Sequence, residues 1–170
     1  QIAKHKQRFE FVAADIANIN EVMQKLTAFN VAIPSWALGT GGTRFGRFSG
    51  GGEPRNLEEK IEDVGLIHAL NRSSNSISLH IPWAIPDNPA HIKAVAAQHG
   101  LRFDAMNSNT FQDQPGQEKS YKFGSLQNVK KDISRQAIDH NIEVIRHGIE
   151  LGSEALTVWL SDGSCFPGQL

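Results

Sequence analysis

The sequence lacks several features that would place a protein in a special class. Its 170 residues include one cysteine, Cys165, which excludes an internal disulfide framework and a zinc cluster built on cysteines. No apolar run approaches the roughly 20 residues of a membrane span. Neither sign of charge dominates, because 17 basic and 18 acidic residues are interspersed and leave a net charge of −1. The absence of a basic stripe argues against a nucleic-acid partner.

The amino end also lacks the apolar core of a secretory signal, because charged residues interrupt it between Lys4 and Glu10. Together with the single cysteine, this favours a reducing cytoplasm as the location. The chain begins at Gln1 rather than at methionine, so we expect its amino end to have been trimmed.

What is present is a fourfold alternation of strand-like and helix-like segments. The four apolar runs are VAIPSW (31–36), SISLHIPW (76–83), LRFDAMN (101–107) and ALTVWLSD (155–162). Apolar residues spaced by threes and fours predict helices over 4–29, 57–72, 89–100 and from about 128 to 152. A repeated strand-then-helix order predicts parallel strands covered by helices.

The predicted fold class is therefore α/β, with residues 1–170 forming a single domain. The element lengths suit an amino-terminal helix followed by the first four strands of a (β/α)8 barrel, and an open four-stranded sheet is the alternative. Complete barrels typically need ~250 residues, and unpaired edges on the first and fourth strands would invite aggregation. We therefore interpret the chain as the amino-terminal part of a longer barrel enzyme.

Aromatic residues concentrate at the predicted carboxyl ends of the strands, where parallel α/β sheets bind their ligands. All three tryptophans of the chain lie there: Trp36, Trp83 and Trp159. Flat rings suit the apolar C–H faces of sugars, although they would also serve to cap the interior of a barrel. His80 could act as an acid or base or donate to a sugar oxygen, or it could be a hydrogen-bonded structural histidine.

The alternation of side chains along the second strand predicts two distinct faces. Strand alternation places Ser78 and His80 on one face and Leu79 and Ile81 on the other. Trp83 falls on the second face by parity, but it can leave that face where the strand ends.

The segment 39–55 is glycine-rich and carries two phenylalanines. Neither a phosphate-binding loop nor a dinucleotide-binding fingerprint fits it, because Arg47-Phe48 and Arg44 stand where those motifs need other residues. A long loop with Phe45 at its centre predicts a lid or an arm that reaches a neighbouring subunit, the alternative being a plain surface loop.

Two further polar residues are weaker candidates for ligand binding. Asn107 follows the third strand and Asp162 ends the fourth, and both residue types also favour turns and caps. No cluster of Glu, Asp and His at these four strand ends suffices for a divalent metal, so we expect no metal site within this chain.

With these residues placed, the sequence resembles the amino-terminal half of the bacterial, broad-specificity L-rhamnose isomerases, a branch of the xylose-isomerase-like barrels. The resemblance runs from about residue 20 to 170. It is carried by the segments PSWALGTGGTRF, SLHIPW, FDAMNSNTF and ALTVWLSDGS-FPGQ. Xylose isomerases proper have an aspartate three residues after the histidine, where this chain has Trp83.

The resemblance implies a metal-dependent interconversion of aldoses and ketoses, of the L-rhamnose to L-rhamnulose type. It implies that His80 assists catalysis and that Trp36, Trp83, Phe111 and Trp159 line the sugar pocket. Phe45 would enter the pocket of a neighbouring subunit, in a homotetramer or dimer. A divalent ion, Mn²⁺ or else Co²⁺ or Mg²⁺, would be held by residues beyond 170.

The sequence is also compatible with two other functions. The chain could belong to a related sugar epimerase or isomerase of the same barrel superfamily, or to a non-catalytic sugar-binding barrel. If the protein is an isomerase or an epimerase, we expect residues 1–170 alone to be inactive, because half of the active site would be missing.

Overall fold

A computed structural model describes residues 1–4, 6–7, 18–39, 41–43, 46–48 and 51–160 of the chain, with the backbone alone for 41–43 and 46–48. The chain divides into two compact units, Gln1–Asn30 and Val31–Leu170. Among the helices of the described residues, none is long and apolar enough to cross a membrane.

The first unit contains the helix α1 (Ile19–Thr27). Asn18 caps its amino end, because the side-chain oxygen accepts a hydrogen bond from the Glu21 N–H at 3.2 Å. Apolar residues on this helix, among them Ile19 and Leu26, are exposed. The helix predicted over 4–29 is confirmed for Ile19–Thr27 but is wrong as one continuous element, because Asn18 has a non-helical backbone and caps a new helix. Residues 8–17 lie outside the described residues.

In its described residues, the second unit contains short strands, three α-helices and one short 3-10 helix. The strands are β1 (Ala32–Pro34), β2 (Gly41–Thr43), β3 (Gly46–Phe48), β4 (Ser76–Ser78), β5 (His80–Ile81), β6 (Arg102–Phe103), β7 (Met106–Thr110) and β8 (Leu156–Leu160). The helices are α2 (Leu57–Asn71), α3 (Pro89–Gln98) and α4 (Lys131–Leu151).

The strands other than β2 and β3 run parallel to one another. One sheet has the order β1-β4-β6 and another the order β5-β7-β8. Only Leu79 separates β4 from β5, and two residues separate β6 from β7, so the two sheets share the runs 76–81 and 102–110. Neighbouring runs therefore follow one another in chain order, with helices between them, as the α/β prediction requires.

Local chemistry fixes the ends of the helices where the sequence predicts them. Asn56 and Asn88 cap α2 and α3 through their side-chain oxygens, and Pro89 occupies the first turn of α3. Gly152 ends α4 in the left-handed conformation, with a φ of 81°.

The hydrophobic core lies between these strands and helices. Leu79 and Ile81 are fully buried in it, together with Val64 of α2 and Val144 of α4. The predicted apolar face of the second strand is thereby confirmed, and His80 points to the opposite face.

Four predictions about strands and loops need correction. The first strand ends at Pro34 rather than Trp36, because Ser35–Ala37 form a short 3-10 helix. The second strand ends at Ile81 rather than Trp83, because Pro82 has no N–H to offer to the sheet. The third strand continues past Asn107 to Thr110, because its polar residues pair with β8. The glycine-rich segment 39–55, predicted as a loop, contains the antiparallel strand pair β2 and β3, which the glycine content gave no reason to expect.

Candidate active site

His80 is the centre of the predicted site and is 2% exposed. Its ring stacks on that of Trp83, with 4.1 Å between the ring centroids and 13° between the planes. Trp83 can reach this position because it follows the strand end, where the alternation of faces no longer applies. The stack fixes the plane of the imidazole.

Three further predicted rings surround this pair. Trp36 meets His80 edge-on at 5.3 Å, from the short 3-10 helix Ser35–Ala37 that follows β1. Phe111, one residue beyond β7, lies 6.1 Å from His80 and 6.0 Å from Trp159 of β8. These centroid separations fall in the range of favourable aromatic pairs. The carboxyl ends of four parallel strand runs thus bring together five rings that are far apart in sequence.

Asn107 holds two of these strand ends in place. Its amide nitrogen donates to the carbonyl oxygens of Leu79 and Ala105, each at 3.1 Å. Its amide oxygen accepts from the indole N–H of Trp159 at 3.0 Å. Both amide hydrogens are thereby used within the protein, so the geometry favours a positioning role for Asn107 over the predicted direct contact with a ligand.

Trp83 has its own support from a loop that the sequence did not single out. Its indole N–H donates to the side-chain oxygen of Gln114 at 3.1 Å. Gln114 also lines a cleft of about 380 Å³, together with Pro82, Asn109, Pro115, Gly116, Gln117, Glu118, Tyr121, Gln136 and His140. The loop after β7 therefore connects this cleft to the aromatic cluster.

His140 of α4 reaches the end of β7 from the helix layer. Its Nε2 accepts the backbone N–H of Asn109 at 3.0 Å, which requires that nitrogen to be unprotonated. Burial lowers the pKa of His140 below its usual value, and the nearby Glu143 and the Ile81 carbonyl only partly oppose this. The neutral imidazole is therefore the favoured form near pH 7.

Two predicted site residues, Phe45 and Asp162, lie outside the described residues. Within the part of the chain that is described, no three His, Cys, Asp or Glu side chains come close enough to hold a metal ion. The described residues thus do not by themselves fit a divalent metal.

The arrangement offers a buried imidazole among flat apolar walls, with the indole N–H groups of Trp83 and Trp159 directed to protein acceptors. Such a site can pack against the C–H faces of a small polar molecule while the imidazole exchanges a proton or a hydrogen bond with one of its oxygens. Gln114 and His140 carried no sequence signal, because their contacts depend on tertiary folding across more than 25 residues.

Comparison with known proteins adds an independent indication. The chain is 54% identical over 152 residues to a protein named "Probable sugar isomerase" from Rhizobium meliloti (strain 1021) and to one of the same description from Mesorhizobium japonicum. Each match covers 89% of this chain and 35% of the relative, so the chain spans about a third of the length of these curated relatives. No family model matches the chain.

Proposed function

We propose that the protein is a sugar isomerase that interconverts an aldose and a ketose, of the L-rhamnose to L-rhamnulose type. The observation that carries the proposal is the stack of His80 on Trp83 inside a set of aromatic walls at the strand ends. The names of the two relatives support the same reaction class.

In this proposal the rings and the imidazole have different tasks. Trp36, Trp83, Phe111 and Trp159 pack against the C–H faces of the sugar and exclude water. His80 hydrogen-bonds a sugar oxygen and moves the proton that ring opening requires. Its stacked position restricts the imidazole to one plane, which reduces the entropy lost when the sugar binds.

The proposal assigns a divalent metal ion, Mn²⁺ or else Co²⁺ or Mg²⁺, to residues outside the 170 of this chain. When bound, such an ion polarises the hydroxyl and carbonyl oxygens of a sugar. The described residues do not form a site for it, and the roles given to His80 and the rings do not depend on it.

We also propose that the four parallel runs are the first half of a (β/α)8 barrel. Two observations support this. Ile138, Ile142, Ile145 and Ile149 form an apolar stripe on α4 that is 38–72% exposed. On the outermost strand β8, Val158, Trp159 and Leu160 are 38%, 44% and 54% exposed. A following strand and helix of a barrel would cover both surfaces.

Two parts of the proposal concern residues beyond the described ones. Phe45 would extend from the glycine-rich segment into the site of a neighbouring subunit in a homotetramer or dimer, and Asp162 would contact the sugar. Residues 1–170 alone would be inactive, because the proposed metal site is not among them.

The test is ketose formation by the complete gene product, supplied with L-rhamnose and a panel of other aldoses, with Mn²⁺ and then with a chelator. We expect turnover that the chelator abolishes, and a loss of about 100-fold or more in His80→Asn, as for a general acid–base residue. His91→Asn is the matched control, because that histidine is half exposed on α3 and pairs with Glu58. Sugar binding without turnover would instead identify a sugar-binding barrel.

A further inference from the structure

The sheet contains an incomplete hydrogen-bond ladder beside the aromatic cluster. In the parallel pair of β5 and β7, His80 lies opposite Asn107, and Asn107 N–H donates to the Leu79 carbonyl at 2.7 Å. By the regular spacing of such a ladder, Asn109 N–H would next donate to the Ile81 carbonyl. The chain turns away at Pro82 instead.

His140 occupies this gap. Its Nε2 takes the hydrogen bond of Asn109 N–H, and the Ile81 carbonyl is close enough to affect the pKa of the same ring. A buried backbone N–H without an acceptor is destabilising, and the imidazole supplies the acceptor that a further strand residue would have provided. The bond fixes β7 at Asn109, between Asn107, which holds Trp159, and Phe111.

We infer that His140 is a positioning residue, which holds the end of β7 through the Asn109 N–H and thereby sets the distance of Phe111 and Trp159 from His80. Only the expected effect of His140 on sugar binding rests on the proposed function. The contact itself concerns the fold and can be tested without substrate.

The same contact depends on protonation. A protonated imidazole has two N–H donors and no acceptor, so it cannot hold the Asn109 N–H. Because the pKa of His140 is lowered on folding, its contribution to stability is present above about pH 6.5, the unfolded value, and is lost as pH falls through the folded pKa. Among the described residues, the charged or titratable groups near the ring are Glu143, whose carboxylate lies 3.6 Å from Nδ1, and Glu118 and Tyr121, which line the same cleft. The contact from β7 is the backbone N–H of Asn109.

The test compares His140→Gln and His140→Leu with the unaltered complete gene product, by hydrogen–deuterium exchange resolved to single amides. Gln can accept a hydrogen bond but does not titrate, whereas Leu can do neither. The Asn107 amide, which donates to a backbone carbonyl, is the internal reference at each pH.

Without substitution, we expect Asn109 to lose about tenfold of its protection relative to Asn107 between about pH 7.5 and the lowest pH at which the protein stays folded, the equivalent of one hydrogen bond. His140→Gln should keep the protection at both pH values, and His140→Leu should lack it at both. Unchanged protection in His140→Leu, or a loss in acid that persists in His140→Gln, would overturn the inference.

Sugar kinetics supply the second readout. Because aromatic walls bind the sugar throughout the reaction, we expect His140→Leu to raise KM about tenfold with kcat changed less than about threefold, and His140→Gln to restore KM. Absence of isomerase activity in every variant would reject the proposed function and leave the exchange result to decide on His140. A fall in kcat with KM unchanged would contradict the positioning role.

Discussion

At the scale of single residues, the candidate site contains two kinds of side chain: those that could contact a ligand and those that hold the contacting side chains in position. The four aromatic rings are partly exposed and surround the buried His80. Asn107, Gln114 and His140 instead use their hydrogen-bonding groups on indoles and backbone. The distinction cannot be read from the sequence, where Asn107 and His80 are both polar residues near a strand end.

Replacement of Asn107 should show that its role is to position Trp159. In Asn107→Leu the indole N–H of Trp159 and the carbonyls of Leu79 and Ala105 lose their partner, and we expect a destabilisation of about 1–3 kcal/mol. The fluorescence of Trp159 should change together with the melting temperature. Gln98→Ala, at the exposed end of α3, is the control and should change stability by less than about 0.5 kcal/mol.

A second variant sharpens this test. Asn107→Asp keeps an acceptor for the indole but places a carboxylate against two carbonyl oxygens, so it should destabilise at least as much as Asn107→Leu. If both variants matched the stability and fluorescence of the unaltered protein, the positioning role would be wrong.

At the scale of elements, the ends of the later helices could be predicted, whereas the start of α1 at Asn18 and the ends of the strands could not. Asn88-Pro89 and Gly152 act through bonds within one or two turns, so the sequence alone specifies them. Asn107 to Thr110 look like a polar turn, because Asn and Ser favour turns. They form a strand because β8 pairs with them, and the sequence near them contains no sign of that partner.

The packing of α2 against α3 leads to a prediction at this scale. A Cβ on Gly65 would lie 2.6 Å from Nδ1 and 2.8 Å from Cβ of His99, closer than atoms can approach. The inner end of the imidazole is too near its own backbone to move aside, so Gly65→Ala should destabilise by about 1–3 kcal/mol despite the better helix propensity of alanine.

The controls for Gly65 follow from the same contact. Adding His99→Ala should recover most of the loss, which a thermal or denaturant unfolding series on the complete gene product would measure. Gly51→Ala has open space around its Cβ and should be close to neutral. A stable Gly65→Ala variant would mean that the two helices are farther apart than described.

At the scale of the whole molecule, the sequence could predict which strand ends meet but not what supports them. Parallel strands place all their carboxyl ends at one edge, so Trp36, His80 and Trp159 were expected together, and the ring contacts agree. The position of Gln114 depends on the packing of the loop after β7, and that of His140 depends on the packing of α4. No local sequence pattern predicts either packing.

The apolar stripe of α4 allows the proposed barrel to be tested on the complete gene product. If a further helix covers the stripe, Ile145→Glu or Ile149→Glu buries a charge and removes about 1.5–3 kcal/mol of apolar burial, so the melting temperature should fall by several degrees. Val129→Glu is the control, because Val129 is 90% exposed and lies outside the stripe. A face that is open to water tolerates such changes within about 0.5 kcal/mol. Equal melting temperatures for the three variants and the unaltered protein would therefore show the stripe to be uncovered and would remove its support for a complete barrel.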